Sequence, residues 1–338
     1  KLWSGVPMAP PDARKNFVQT LKDVAEKHSL EFSGLSHDWI LQLRDKASGK
    51  QCSVFGYTFD ANPAAAVEIC KEKAATSLVL SSKGVPNVPH HVFLNPGNPF
   101  TAKYVTKNGI WEPVQEVVKK YGFPVVIKPL KGTGGLDVMK ATCWREVEAA
   151  VQQIFSREYG LAVSPYKRVV DEYRCICLGE EVQLTYRKVR NSVIGDGEKS
   201  VGALLAERLQ KATPEEIVGM LSDAAELRPE EVAAVPKKGE HAALQWKHNL
   251  GAGATVDLEV KADMAQKLVE VARGAVQAIG MCFCSVDIID VVDEGLMVME
   301  VNGGVMMDNL ISQLGTSGKG LAFSLYEKAV LKALGRSA

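Results

Sequence analysis

Forty basic residues are matched by forty acidic ones, so the 338-residue chain carries no net charge. A balanced chain is not steered as a whole toward nucleic acid or an anionic membrane surface, and any nucleotide site must be local. No apolar run reaches the roughly eighteen residues that a membrane-spanning helix needs. No signal peptide precedes the first helical segment, so the expected location is the cytoplasm. The seven cysteines include Cys175-x-Cys177 and Cys282-x-Cys284, each pair on one face of an apolar segment. That spacing and the odd count suit neither a disulfide framework nor a zinc site, and buried thiols in a reducing compartment are expected. The Walker loop and the dinucleotide fingerprint are also missing, which excludes phosphate capture by either of those glycine loops at a helix N-terminus.

A hydrophobic content of 46% supports an ordinary globular core, and the length allows two domains or one with an appended subdomain. Helical periodicity predicts a helix from Pro11 to Lys27, one opening at Asn62-Pro63 and running through Cys70, Ala74 and Leu78 to the Gly84 turn, and one over 112–121 capped by Gly122. Further helices are expected over 144–155, 262–279 and 320–334, with a helical, less hydrophobic insertion over 199–245 that opens one helix with the Thr213-Pro-Glu-Glu216 capping box. Short strands are expected within 31–43 and 53–57, and a proline-rich crossing loop over 90–99.

The most informative stretch is Cys282-Phe-Cys-Ser-Val-Asp-Ile-Ile-Asp290 followed by Leu296-Met-Val-Met-Glu-Val-Asn302. Both runs are apolar and β-prone, and the turn at Asp293 and Glu294 makes them an antiparallel hairpin with Asp287 opposite Glu300. Side chains alternate along a strand, so Asn302 shares a face with Glu300. Carboxylates in an apolar hairpin cost several kcal/mol unless a charge pairs with them. A hard divalent cation suits two carboxylates and an amide, and magnesium completes its octahedron with water and nucleotide phosphates. The same pattern also suits a hairpin whose polar residues face water.

A second signal is Phe123-Pro-Val-Val-Ile-Lys-Pro129, then Lys131-Gly-Thr-Gly-Gly135, then a strand over 136–140. Here the glycines cap a hairpin, so their backbone N–H groups can fold over phosphates while Lys128 neutralises them. A hairpin over 175–190 turning at Gly179 puts Tyr186, Lys188 and Arg190 on one face, a basic strip suited to phosphate or carboxylate. The Lys247-His-Asn-Leu-Gly-Ala-Gly253 stretch reads as another flexible loop able to face phosphate.

Taken in order, Val-Val-Ile-Lys-Pro129, Gly-Thr-Gly-Gly135, Glu-Tyr-Arg174, Ile194-Gly-Asp-Gly197, Lys-His-Asn-Leu250, Asp287 and Glu-Val-Asn302 resemble an ATP-grasp carboxylate–amine ligase over roughly residues 60–335. The likeness is strongest to the ligase domains of cyanophycin synthetase and bifunctional glutathione synthetase. It implies an α/β (α+β) fold: an N-terminal α/β subdomain over 1–95, a small glycine-loop subdomain over 96–165, and a large subdomain over 166–338. The resemblance implies ATP and two magnesium ions, or manganese in their place, held by Asp287, Glu300 and Asn302. It gives Lys73, Lys128 and the loop residues Gly132, Thr133, Gly134 and Gly135 to the phosphates, and Ser164 and Tyr166 of the interdomain hinge to adenine. Glu172 goes to the ribose, and Lys247 and Asn249 to the large loop at the phosphate end.

Where D-alanine ligases carry an arginine two residues before the metal aspartate, this chain has Ser285, so Arg174 and Lys247 become candidates to steady the anionic intermediate, with Lys188 near the phosphates. The implied activity is ADP-forming amide synthesis through an acyl phosphate from a small carboxylate and an amine, amino acids or short peptides. No nucleic-acid or membrane partner is implied, and a homo-oligomer is. The alternative is an ATP-binding regulatory module of the same fold without turnover.

Overall fold

The computed structural model describes residues 14–105, 109–132, 135–212, 227–246 and 254–336, together with 217, 218, 220, 221, 224, 225 and 250. The chain opens with helix α1 (Lys15–Lys27) and an antiparallel meander of β1 (Glu31–Leu35), β2 (Ile40–Arg44), β3 (Gln51–Phe55) and β4 (Thr58–Phe59). Alternation along β2 and β3 turns Leu41, Leu43, Cys52 and Val54 inward. There they meet Phe17 and Leu21 of α1, and Tyr326 and Val330 of the C-terminal helix α9 (Asp308–Ala333). Burying each such side chain stabilises the fold by about 1.5–3 kcal/mol, so this meander is welded to the end of the chain.

Helices α2 (Ala64–Lys71) and α3 (Lys73–Ser82) replace the single helix expected from periodicity. The break is chemical: Glu72 leaves the helical conformation and its carboxylate accepts from the N–H groups of Ala74 and Ala75, capping a new helix. The expected crossing loop contains β5 (His91–Leu94), hydrogen-bonded to β8 (Gly160–Pro165). With α4 (Trp111–Tyr121), β6 (Val125–Pro129), β7 (Met139–Ala141) and α5 (Trp144–Phe155) it completes a small sheet of order β5-β8-β6-β7. The strand after the glycine loop starts only at Met139, because Asp137 sits at φ 53° in a turn.

The large sheet has the order β13-β10-β9-β14-β15 and is antiparallel throughout. Its strands are β9 (Val169–Leu178), β10 (Glu181–Val189), β13 (Thr255–Asp257), β14 (Phe283–Val291) and β15 (Gly295–Asn302). One face packs Tyr173, Cys175, Cys177 and Val286 under α8 (Ala262–Ile279), α2 and α3. After β10, β11 (Ser192–Ile194) pairs with β12 (His241–Ala243) and carries α6 (Val201–Leu209) against it, and α7 (Pro229–Ala233) packs on α6. The capping box at 213–216 lies outside the described residues. Helix α9 starts twelve residues before the expected 320, with a break at Gly315 (φ 57°).

All seven cysteines are free thiols, five of them buried, whereas Cys143 is exposed. Among the described residues no helix is long and apolar enough to cross a membrane.

Candidate functional site

The free face of the large sheet meets the small sheet across a cleft, and the β14–β15 hairpin forms its floor. Asp287 stands opposite Glu300 in the register, as the alternation argument expects, and Ser285 stands opposite Asn302. A bulge after Asp287 leaves Met299 without a partner and directs it into the cleft.

Asp287 is nearly sealed, at 2% exposure, and two cations of the chain itself hold it. Arg174, its cross-strand neighbour on β9, forks onto it with Nε to Oδ1 and Nη2 to Oδ2, both at 2.7 Å. Lys188 reaches Oδ2 at 3.1 Å and donates to Glu172 Oε1 at 2.5 Å. The expectation that Asp287 needs an outside cation to offset its burial is therefore corrected. The compensating charges come from strands far away in sequence, Arg174 being 113 residues from Asp287. Burial pushes the Asp287 carboxyl up, but Arg174 and Lys188 outweigh it and hold it far below its ordinary range. Burial likewise raises Glu172, against the pull of Lys188.

On the opposite wall the charges are unbalanced. Lys128 projects from β6, is 9% exposed, and has no hydrogen bond or ion pair among the described residues. Burial and the neighbouring Lys73 pull its pKa down from 10.5 to about 8, with Glu300 opposing. Lys73 begins α3, where the Glu72 cap directs it to the carbonyl of Gly132 at 2.9 Å and to Glu300 at 3.7 Å. His90 donates Nδ1–H to the Val88 carbonyl at 2.7 Å, leaving Nε2 a buried bare acceptor. Burial and Lys128 hold this imidazole well below its ordinary range, so it stays neutral.

Of the residues singled out from sequence, Lys73, Lys128, Gly132, Gly135, Ser164, Tyr166, Glu172, Arg174, Lys188, Asp287 and Glu300 all line this one cleft. Asn302 is half-buried at the far end of β15 and is not among the lining residues. Thr133, Gly134, Lys247 and Asn249 lie outside the described residues. Sequence reasoning missed the apolar walls, Val126, Leu136, Ile289 and Met299, and the indole of Trp246. Ile289 was within reach, since it sits two positions from Asp287 on the same strand face.

The oxygen donors fit a hard cation in part. Glu300 and Asn302 offer oxygens not committed to a hydrogen bond among the described residues, and Asp287 Oδ1 accepts only one donor, leaving a lone pair. No three His, Cys, Asp or Glu side chains converge among the described residues, as expected when the third ligand is an amide.

A cleft between a sheet bearing a glycine-rich hairpin and a sheet bearing a carboxylate hairpin is the ATP-grasp fold, and the resemblance of the chain is to carboxylate–amine ligases of that fold. No protein-family profile matches it. It is 24% identical over 300 residues to the cyanophycin synthetase of Nostoc sp., a match that covers 85% of this chain but only 30% of that much longer protein. Among solved structures it superposes on a bifunctional glutathione synthetase from Pasteurella multocida (TM-score 0.51, 21% identity, 93% of this chain and 44% of the other). It also superposes on a D-alanine–D-alanine ligase from Bacillus anthracis (TM-score 0.52, 14% identity, 81% and 71%). At these identities the superpositions carry the fold alone.

Proposed function

We propose that the cleft binds ATP and that the chain joins a small carboxylate to an amine with release of ADP and phosphate. One observation carries the reading: Lys128 is a buried cation with no ion-pair partner among the described residues, only the more distant charge of Glu300 opposing its burial, and it shares the cleft with Lys73, Gly132 and Gly135. A phosphate chain supplies the counter-charge, and the N–H groups of the glycine loop can cover it. Magnesium would be held by Glu300, Asn302 and the remaining lone pair of Asp287, and its chemistry there is to neutralise charge on the phosphate oxygens.

The chain's own part is positioning. Lys128 and Lys73 hold the phosphates in line with the incoming carboxylate oxygen, which attacks the γ-phosphorus as ADP leaves. The resulting acyl phosphate is then opened by the amine, which loses a proton as phosphate departs. No serine or cysteine nucleophile is required. The relatives named for cyanophycin and glutathione synthesis support amino acids or short peptides as the substrate class.

The test is ADP release screened over amino acids and peptides, with mass spectrometry of the condensed product. Asp287→Asn together with Glu300→Gln is expected to abolish turnover, and an undiminished rate in that variant overturns the assignment. A second reading has its own observation: Arg174 is committed to Asp287 and Ser285 replaces the arginine of D-alanine ligases. A nucleotide-binding module without turnover would bind ATP and release no ADP with any amine.

A further inference from the structure

Arg190 follows β10 and lines the cleft, half-buried, with no hydrogen bond or ion pair to any described residue. Its position along the cleft can be read from the register. On the cleft face of β10, Tyr186 stands opposite Arg174 and Lys188 stands opposite Glu172. Across β9, Arg174 faces Asp287 and Glu172 faces Ile289. Each step of two residues therefore moves about 7 Å away from the carboxylate end, from Asp287 past Ile289, and Arg190 is one step beyond Lys188. It lies at the end where Tyr166 leaves the small sheet, and its charge is felt by the Tyr166 hydroxyl. The Tyr166 ring carries the Lys140 ammonium at 4.4 Å and meets the Trp246 indole edge-on at 5.8 Å.

The phosphate-binding wall of Lys73 and Lys128 and the carboxylates Asp287 and Glu300 mark one end of the cleft, and Arg190 with the two aromatic rings marks the other. A guanidinium offers donors only. We infer that Arg190 is a nucleoside contact, donating to ring nitrogens or ribose oxygens at the base end of the bound nucleotide, rather than a contact for the acidic substrate. The basic strip on β10 thus divides in function: Lys188 is consumed by Glu172 and Asp287, and Arg190 is left for the ligand.

The inference rests on the ATP reading above, and the test separates the two. Calorimetric titration of the full chain with ADP, adenosine and inorganic tripolyphosphate is compared for wild type and Arg190→Met, which keeps a long stem without donors. The expected result is about tenfold weaker ADP and adenosine, the loss of one charge-assisted hydrogen bond, with tripolyphosphate unchanged. Arg190→Lys, which retains the charge but not the planar fork, is expected to fall between the two and guards against a folding failure of the methionine variant. Adenosine bound equally by wild type and either folded variant overturns the inference while leaving the ATP reading intact. Wild type that fails to bind ADP overturns both.

Discussion

Two walls of one cleft treat charge in opposite ways. On the large sheet Arg174, Lys188, Asp287 and Glu172 form a mutually paired set, two cations against two carboxyls, linked at 2.5–3.1 Å. On the small sheet Lys128 is buried with no ion-pair partner among the described residues, and only the more distant Glu300 partly offsets its charge. Burying an ion is costly unless it is paired, so the first wall is built for stability of form and the second stays unfavourable until an anion arrives. The difference separates a scaffold from the proposed binding surface in residues that look alike in sequence.

The sharpest way to break that comparison is to open the paired set. Arg174→Met leaves Asp287 with Lys188 alone, and removing one partner of a buried ion pair typically costs about 3–5 kcal/mol. Urea unfolding of the ligand-free protein should show a loss of that size. If stability is unchanged, the network is not the scaffold described. The complementary change on the other wall, Lys128→Met, removes an unpaired charge and should raise the stability of the ligand-free protein while weakening ATP binding by about a hundredfold, roughly 2.7 kcal/mol. Opposite signs of ΔΔG in the two variants are the signature of the asymmetry.

A pH titration tests the same point without changing the shape of the site. The Lys128 pKa is lowered from 10.5 to about 8 in the folded chain. Below pH 8 the lysine is charged in both folded and unfolded states, and the full burial penalty applies. Between pH 8 and 10.5 the unfolded chain binds the extra proton, so stability contributed by this residue rises with pH. ATP binding runs the other way: it needs the ammonium, so affinity should be flat below pH 8 and fall by up to tenfold per unit above it. Lys128→Arg, charged throughout, should flatten both curves, and a wild-type affinity constant from pH 7 to 9.5 would contradict the assignment.

How much of this was legible beforehand depended on sequence distance. Helices over 144–155 and 262–279 were read to the residue because their apolar stripes end at clean stops, as at Gly280 with φ 80°. The Asp287–Glu300 pairing matches the sequence reading, but by another route: the turn pairs Val291 with Gly295 and Ile288 with Val298, and a one-residue bulge after Asp287 brings Glu300 opposite it. The Arg174–Asp287 fork was not legible, since its partners are 113 residues apart and nothing local in either strand announces the other. Strand β5 was hidden among prolines that usually mark loops, and it is a strand because β8 supplies its hydrogen bonds. The break at Glu72 was overlooked because apolar periodicity runs through it, whereas a single carboxylate decides the matter.

That carboxylate gives the smallest and most local test of the unbalanced wall. Glu72 bonds the N–H groups of Ala74 and Ala75 at 2.8 and 3.0 Å, and this cap fixes where Lys73 leaves the backbone. Glu72→Ala removes the cap, which for an N-terminal capping residue is worth about 1 kcal/mol of stability. If the cap only stabilises α3, thermal unfolding shifts and ATP affinity does not. If it also aims Lys73, ATP affinity falls several-fold in addition, while Glu72→Asp, which retains an acceptor, restores most of both. Because Lys73 stands between Gly132 and Glu300, the affinity loss should vanish in a Lys73→Met background. A loss that persists there would mean that the break in the helix shapes the cleft through something other than this lysine.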